Sequence, residues 1–385
     1  MKTTKALLVL TVLYGWHCVV AGDSPHVQLV LAPEEGLQPQ AAVDTKGTLH
    51  LIYFKGNAAA GDLFYVRRGP KDKAFSKPIR VNHRRESVVA KGTVRGAHLA
   101  LGKEGRPHVV WMGSRKTVPL RKRHGSPLFY TRLAKDGKNF EVERNVIRFA
   151  YGLDGGGSVA ADEQGNVHVL WHAPALKKEG EANRQIWAAS SSDEGKTFLP
   201  ETVISESTGV CGCCGMRAFA SHRGGVYVLY RSATKTINRD VYLLSKLKAK
   251  KKFRSQKVDP WPVAACPMST MSFSQNKEAV FAAWETRGQV YFAKIAPKTG
   301  TLDKKIKAPG KGGNRKHPAI AVDEKGNVLL AWTEGTGWNR GGKLAWQVFN
   351  SLGSPTKSKG RKKGVRAWSL LSAVTLPDGR FVIVY

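Results

Sequence analysis

The sequence predicts an all-β fold, a β-propeller of four-stranded blades with six or seven blades. A short apolar strand, a polar turn and a second apolar strand ending in Trp or Tyr recur about every 55 residues along the chain. The copies end at Tyr53, Trp111, Trp171, Tyr230, Trp284, Trp332 and Tyr385. A strand repeat of this length is typical of small sheets arranged radially around a channel.

A second set of aromatic-rich strands lies between these hairpins. Its members are residues 62–66, 128–132, 185–189, 240–244, 289–293 and 343–347, and a polar turn and a short extended piece follow each of them. An inner and an outer hairpin together make a four-stranded blade. Seven inner but six outer hairpins are present, and the strand-like segment 26–32 is placed to complete the last blade. This count favours seven blades.

Residues 1–21 have the pattern of a signal peptide. Lys2 and Lys5 precede an apolar run over 6–16, and small residues at 19–21 offer a cleavage site. The run is shorter than the ~20 apolar residues that span a bilayer. We therefore expect a secreted or periplasmic monomer without a transmembrane anchor, in which residues 22–385 form a single propeller domain.

The chain is strongly basic, with 62 Lys and Arg residues against 29 Asp and Glu residues and a net charge of +33. The basic residues are dense in 115–123, 246–252 and 357–363. Such a field attracts polyanions, so we expect an acidic glycan or another polyanion as partner. The alternative is a set of solvated turns. No nucleic-acid-binding motif is present, and no nucleic-acid partner is expected.

Four cysteines remain after the predicted cleavage: Cys211, Cys213, Cys214 and Cys266. An even number in an exported chain favours two disulfides, and the sequence leaves their pairing open. The alternative is a copper or zinc site formed with nearby Met or His side chains, namely Met216, Met268, His98, His172 or His317. The C-x-C-C spacing matches no standard zinc pattern, so our main prediction contains no metal and no cofactor.

One segment carries a family motif. Ser191, Asp193, Gly195, Thr197 and Phe198 match the Asp-box S-x-D-x-G-x-T-F, and 135–140 is a weaker copy one repeat earlier. The chain therefore resembles the secreted sialidase-like, Asp-box propellers of bacteria, which are grouped with the exo-α-sialidases. The resemblance in layout covers residues 26–385. It implies that the box is a structural turn remote from the channel mouth, and that the activity is glycoside hydrolysis.

The loops divide between two faces of the predicted propeller. Loops that lead into the innermost strands and loops that leave the second strands share one face, which we call the loaded face. It carries 94–98, 153–157, 211–217, 266–269, 314–318 and 334–338 with His172, Arg231 and Glu285. The turns of the opposite, plain face are ordinary, such as DTKG and DEQG. Functional residues concentrate in loops held by a rigid scaffold, so we expect the site on the loaded face.

Three arginines begin innermost strands in the second, fourth and sixth repeats: Arg95, Arg217 and Arg315. We expect them to converge on the channel axis and bind a carboxylate, because guanidinium groups repel unless an anion lies between them. The resemblance implies the same, since sialidases hold the sugar carboxylate with an arginine triad. The alternative is that each arginine binds a carbonyl or an acidic neighbour. His98, His317 and Trp338 are further candidates for substrate binding.

The resemblance also implies a tyrosine nucleophile aided by a glutamate, together with an acid/base carboxyl group. On that pattern Asp154 is the acid/base, Tyr230 the nucleophile, and Glu285 or Glu334 its activator. The first hypothesis is thus a glycoside hydrolase acting on an acidic sugar. The second is a non-catalytic propeller that binds an acidic polysaccharide or a protein. The third is a cysteine-rich metal or redox propeller.

Overall fold

A computed structural model describes residues 26–117, 125–175, 178–235 and 237–385. Its strands form seven sheets around a central channel, so the protein is an all-β seven-bladed propeller, as the repeat count favours. The predicted signal peptide and residues 118–124, which include most of the first basic run, lie outside the described residues. Among those described, no helix has the length and apolar character needed to cross a membrane.

The first strand and the first three blades follow in chain order. The strands are β1 (Val27–Val30); β2 (Leu37–Val43), β3 (Leu49–Asn57), β4 (Ala60–Arg68) and β5 (Ile79–Arg80) in blade one; β6 (His98–Leu101), β7 (Pro107–Met112), β8 (Leu128–Arg132) and β9 (Arg144–Asn145) in blade two; and β10 (Ser158–Ala161), β11 (Val167–Pro174), β12 (Arg184–Ser191) and β13 (Thr202–Val203) in blade three. Each of these blades is antiparallel, with neighbouring strands consecutive in the chain.

The next three blades repeat this order. The strands are β14 (Arg217–Ala220), β15 (Val226–Arg231), β16 (Val241–Lys246) and β17 (Arg254–Asp259) in blade four; β18 (Ser272–Gln275), β19 (Val280–Thr286), β20 (Gln289–Ile295) and β21 (Ile306–Lys307) in blade five; and β22 (Arg315–Val322), β23 (Val328–Glu334), β24 (Gly342–Phe349) and β25 (Pro355–Val365) in blade six. Short 3-10 helices cover Pro33–Glu35, Lys103–Gly105, Arg115–Thr117 and Glu181–Asn183.

The last blade closes the ring. It contains β26 (Ser372–Thr375), β27 (Phe381–Val384) and the first strand, β1, which pairs with β27 in parallel from Val27↔Phe381 to Val30↔Val384. The predicted role of segment 26–32 is confirmed. The blade differs from the expectation of four strands, because its described residues form three and the outermost of them is parallel.

The aromatics that end the inner hairpins pack between neighbouring blades. Trp111, Trp171 and Trp284 are completely buried. Trp171, for example, shares a cluster with Val110 of blade two and Val169 of its own blade. A buried Trp removes a large apolar area from water, so each of these side chains stabilises the contact between blades.

The innermost strands line a channel cavity of about 330 Å³ that extends to the plain face, where Thr45, Asp162 and His222 lie in its wall. Arg217 lies at the other end of this cavity. Its Nη1 donates a 2.6 Å hydrogen bond to Oε1 of Gln40, which joins blade four to blade one across the channel. These two side chains therefore span the channel.

The Asp-box forms a turn after β12, remote from the loaded face. The Asp193 carboxylate accepts hydrogen bonds from Ser191 Oγ at 2.6 Å and from Thr197 Oγ1 at 2.7 Å, and it also accepts one from the Thr197 backbone N–H. These bonds lower the pKa of Asp193 below its ordinary value, the Ser191 bond most of all. Phe198 packs edge-on against Tyr130 of blade two. The box thus fixes an outer turn against its neighbouring blade.

Candidate functional site

The centre of the loaded face holds a paired arginine and aspartate. Arg95 precedes β6 and Asp154 precedes β10, so the pair joins blades two and three. Nη2 of Arg95 lies 3.0 Å from Asp154 Oδ1, and its Nε donates to the Asp154 carbonyl at 2.9 Å. The Arg95 side chain is 20% exposed and that of Asp154 48% exposed. The pair is therefore rigidly bonded yet open to a ligand.

Trp338 lies against the other side of Arg95. It belongs to the loop between β23 and β24, it is 46% exposed, and its ring centroid is 5.9 Å from the Arg95 guanidinium carbon. Blades six and two are not neighbours, so this contact spans the channel mouth. A Cβ at Gly92 would come within 2.6 Å of Arg95 Nη1 and 2.9 Å of the Trp338 ring, and its φ of +91° also favours glycine.

A second carboxylate lies beside Asp154. The backbone of Gly212 separates them, because a Cβ there would come within 2.8 Å of Asp154 Oδ2 and 3.5 Å of Glu181 Oε1. Glu181 accepts a 2.9 Å hydrogen bond from the Gly212 N–H and pairs with Arg239 Nη2 at 2.8 Å. The mouth thus presents two partly exposed carboxylates. We call Arg95, Asp154, Glu181 and Trp338 the mouth site.

The three predicted arginines do not share a partner. Arg217 faces the channel cavity below, where burial lowers the pKa of its guanidinium to about 10. Arg315 is buried beside blade five, bonded to Gln289 Oε1 at 2.9 Å and to the Pro309 carbonyl at 2.9 Å. Only Arg95 belongs to the mouth site. The structure therefore does not bring the three guanidinium groups together on the channel axis as expected. Each side chain points instead toward the hydrogen-bond acceptors nearest to it.

Two predicted acidic residues are engaged in structural pairs. Glu285 is 1% exposed, and Arg231 Nη2 lies 3.4 Å from its Oε2 and donates to its carbonyl at 2.6 Å. Burial raises the pKa of Glu285. Glu334 accepts from Trp332 Nε1 at 2.9 Å and pairs with Arg361 at 3.3 Å. Within the part of the chain that the structure describes, neither carboxylate forms a hydrogen bond or ion pair with Asp154 or its partner Arg95.

Tyr230 is a packing residue rather than the expected nucleophile. It is completely buried in the core between blades three and four. Its hydroxyl is 2.8 Å from Thr208 Oγ1, and burial raises its pKa above the ordinary range. A ligand at the mouth has no route to this oxygen, so the structure corrects the assignment.

Of the histidines on the loaded face, His172 and His317 are buried and His98 is half-buried. Nδ1 of His98 is 2.9 Å from Ser158 Oγ, and Nδ1 of His317 is 3.3 Å from Thr270 Oγ1. Burial lowers the pKa of His98 well below its usual range and that of His317 to about 3. His172 touches the mouth site from below, since its Nε2 accepts a 3.2 Å hydrogen bond from the Gly155 N–H. All three rings are held neutral at physiological pH.

The four cysteines are free thiols, which corrects the expected disulfides. Cys211 Sγ is 3.3 Å from Cys213 Sγ and 3.2 Å from Cys214 Sγ, while Cys266 is exposed outside this group. Burial opposes ionisation of Cys214. Thiol hydrogen bonds from its two neighbours and the charge of Arg231 outweigh that effect and lower its pKa. Cys211 and Cys213 are the chain neighbours of Gly212, so the thiol group adjoins the mouth site.

A cationic strand belongs to the same blade as Trp338. Strand β25 is the outer edge of blade six, the blade that carries Trp338, and it ends on the loaded face where Val365 pairs with Gly342. Its exposed cations are Lys357, Lys359, Arg361, Lys362 and Lys363. Alternate residues of a strand share a face, so several of these charges form a row. Charged edge strands also prevent pairing with other chains, which is the structural role of such a row.

Sequence reasoning missed Glu181, Arg184 and Arg239. Glu181 and Arg239 form an ion pair at the mouth, and Arg184 Nη1 is 3.0 Å from His172 Nδ1. All three lie in, or at the end of, loops that leave a second strand. His172 and Arg231 were selected because they lie directly after a second strand. Extending that criterion to the whole of each loop would have included the three missed residues.

No family model and no curated protein matches the sequence. Solved structures match its fold. The BP39L lectin from Burkholderia pseudomallei has a TM-score of 0.57 and 10% identity over 90% of this chain and 95% of its own. An α-L-arabinanase from Penicillium chrysogenum has a TM-score of 0.54 and 13% identity over 86% and 98%. The Hadza microbial sialidase Hz136 has a TM-score of 0.51 and 14% identity over 83% and 70%.

At these identities the matches establish the fold alone. The protein is a seven-bladed β-propeller, of a fold that glycan-active enzymes and lectins share. The resemblance to sialidase-like propellers thus holds at the level of architecture.

Proposed function

We propose that the protein binds an anionic polysaccharide at the mouth site and along β25. The observation that carries this proposal is the Arg95–Asp154 pair with Trp338 stacked on its arginine, half open to solvent at the centre of the loaded face. An exposed aromatic ring offers an apolar face to a sugar ring, and the ion pair offers hydrogen-bond donors and acceptors to its hydroxyls.

The charge of the protein supports an acidic ligand. A net charge of +33 accelerates encounter with a polyanion, and the row on β25 guides a chain of negative groups toward Trp338. We further propose that this binding takes place in an exported compartment, because residues 1–21 have the pattern of a signal peptide.

Calorimetric titration tests the proposal with three probes: a sulfated polysaccharide, a polyuronate and a neutral glucan. We expect one or both anionic polymers to bind, with an affinity that falls as salt is raised, because screening weakens exposed charge pairs. Equal binding of the neutral glucan, or no binding of any polymer, would overturn the proposal.

A second candidate function is hydrolysis at the same mouth, favoured by the two carboxylates that flank Gly212. Glycoside hydrolysis needs one carboxyl group as acid and a second as base or nucleophile. We assign Asp154, the more exposed of the two, as the acid/base and Glu181 as the second group. The measurement is the release of reducing ends from the polymer that binds most tightly. Binding without such release leaves the protein as a lectin-type propeller.

A further inference from the structure

The thiols of Cys211, Cys213 and Cys214 form a compact group that the proposed function does not use. Their sulfurs lie within 4.8 Å of one another. The turn that holds them is fixed by its backbone: the Cys211 N–H donates to the Arg231 carbonyl at 2.9 Å, and the Gly215 N–H donates to the Ser269 carbonyl at 3.0 Å. Contacts with blades four and five therefore bring the three thiols together in advance of any ligand.

Two arginines beside the group have unused donors. Arg231 Nε and Arg239 Nη1 are buried and have no hydrogen-bond partner among the described residues. Both guanidinium groups lie within electrostatic range of the cysteines, Arg231 of Cys214 and Arg239 of all three. Buried N–H groups are normally bonded, and these two cations lie close enough to offset negative charge on the cluster.

We propose that Cys211, Cys213 and Cys214 bind one Cu(I) ion as three thiolates. Three S–H bonds break, three Cu–S bonds form and three protons leave to solvent, so the complex carries a charge of 2−. Arg231 and Arg239 offset that charge. Thiolates are soft ligands, and soft ligands select Cu(I) among the common metals that proteins bind.

Zinc fits this set less well, because structural zinc sites take four ligands. The histidines nearest the group have other partners: the His172 ring nitrogens contact the Gly155 N–H and Arg184, and His317 Nδ1 contacts Thr270. Cys266 is exposed outside the trio. Among the described His, Cys, Asp and Glu side chains, the group thus has three ligands from one turn and no fourth.

The test is anaerobic titration of the reduced full chain with Cu(I), in competition with a chromogenic Cu(I) chelator. We expect one equivalent to bind and Cys213→Ser to weaken binding by at least about 100-fold, because even the loss of a residue that only supports a metal ligand costs about 10- to 100-fold. Cys213 is the most exposed of the trio, so this change is the least disruptive to packing. Cys266→Ser is the matched control and retains full binding, and melting curves verify that both variants fold.

Three results would overturn the proposal. The first is no Cu(I) uptake by the reduced protein. The second is a parallel titration in which Zn(II) binds stoichiometrically and Cu(I) does not. The third is a Cys213→Ser variant that binds Cu(I) as tightly as the unmodified chain. None of these readouts depends on glycan binding, so a failure here leaves the proposed function to its own test.

Discussion

The Arg95 guanidinium makes two bonds to one residue, Asp154: one to its carboxylate at 3.0 Å and one to its carbonyl at 2.9 Å. This pair joins the entry loops of two neighbouring blades at the channel mouth. Asp154 is the more exposed partner, at 48%, and its second carboxylate oxygen faces Gly212 rather than Arg95. The arginine thus fixes the orientation of a carboxylate that remains accessible.

Replacing Trp338 with alanine should weaken polysaccharide binding by about tenfold, because the variant loses both the aromatic face and the contact that orients Arg95. Trp338→Phe should recover part of the affinity. Leu352→Ala is the control, since Leu352 is 88% exposed in a plain-face turn of the same blade. Calorimetry on the three variants measures the effect, and equal affinities for Trp338→Ala and the control would remove Trp338 from the site.

If the mouth is catalytic, Asp154→Asn should lower the rate of reducing-end release by about 100-fold or more, because the amide cannot transfer a proton. Binding should change much less, since the amide keeps the shape of the carboxylate and one oxygen acceptor. Rate and affinity are measured on the same polymer. A variant with full hydrolytic activity would exclude Asp154 as the acid/base.

The free energy of unfolding should fall as the pH is lowered from 6.5 toward 3. Burial lowers the pKa of His108, His172 and His317 from 6.5 to about 3 and that of His168 to about 4. Below pH 6.5 the unfolded chain binds protons that the folded chain does not. Each histidine then costs the folded state about 1.4 kcal/mol per pH unit until its folded pKa is reached.

Urea denaturation at pH 7, 5 and 4 measures this slope. His108→Gln removes one buried titrating ring and should make the slope shallower. A free energy of unfolding that is constant over this range would contradict the assignment of neutral buried rings.

Arg217→Met should stabilise the protein by about 1 kcal/mol, because it removes a desolvated cation that pairs with no carboxylate among the described residues. Arg315→Met provides the contrast. It should destabilise the protein by about 2 kcal/mol, since it breaks the ion pair with Glu334 Oε1 at 3.6 Å and the hydrogen bond to Gln289 Oε1. Urea denaturation measures both. Loss of stability in Arg217→Met would mean that the Gln40 bond outweighs the desolvation of the charge.

The fold was predictable because its signal is local and repeated. The aromatics Trp111, Trp171 and Trp284 mark one position in successive blades, and each is buried as a blade contact. The closing strand Val27–Val30 was predictable from the odd hairpin count, although its parallel pairing was not. The sequence of this segment does not determine whether the strand runs parallel or antiparallel to β27. That orientation follows from the point at which the chain enters the ring.

The site was predictable only in part. Loop position along the repeat placed Arg95 and Asp154 on one face, and their contact was only the alternative to the arginine triad. Loop position does not predict the direction in which a side chain points. Arg315 was therefore expected at the channel axis, although its guanidinium group bonds to Gln289 of blade five. Tyr230 shares its position in the repeat with the buried tryptophans, and this sequence signal favours a core residue over a nucleophile.

The measurement that tests the central claim most directly is the affinity of Arg95→Gln for the anionic polymer that binds the unmodified protein. Arg380→Gln is the matched control, because Arg380 forms a half-exposed ion pair with Asp378 on the plain face at 2.7 Å. Both variants lose one positive charge. We predict that Arg95→Gln binds about 10- to 100-fold more weakly while the control changes little, since a charge-assisted hydrogen bond contributes about 1.5–3 kcal/mol. Equal affinities of the two variants would show that net charge alone holds the polymer, and the mouth site would be rejected.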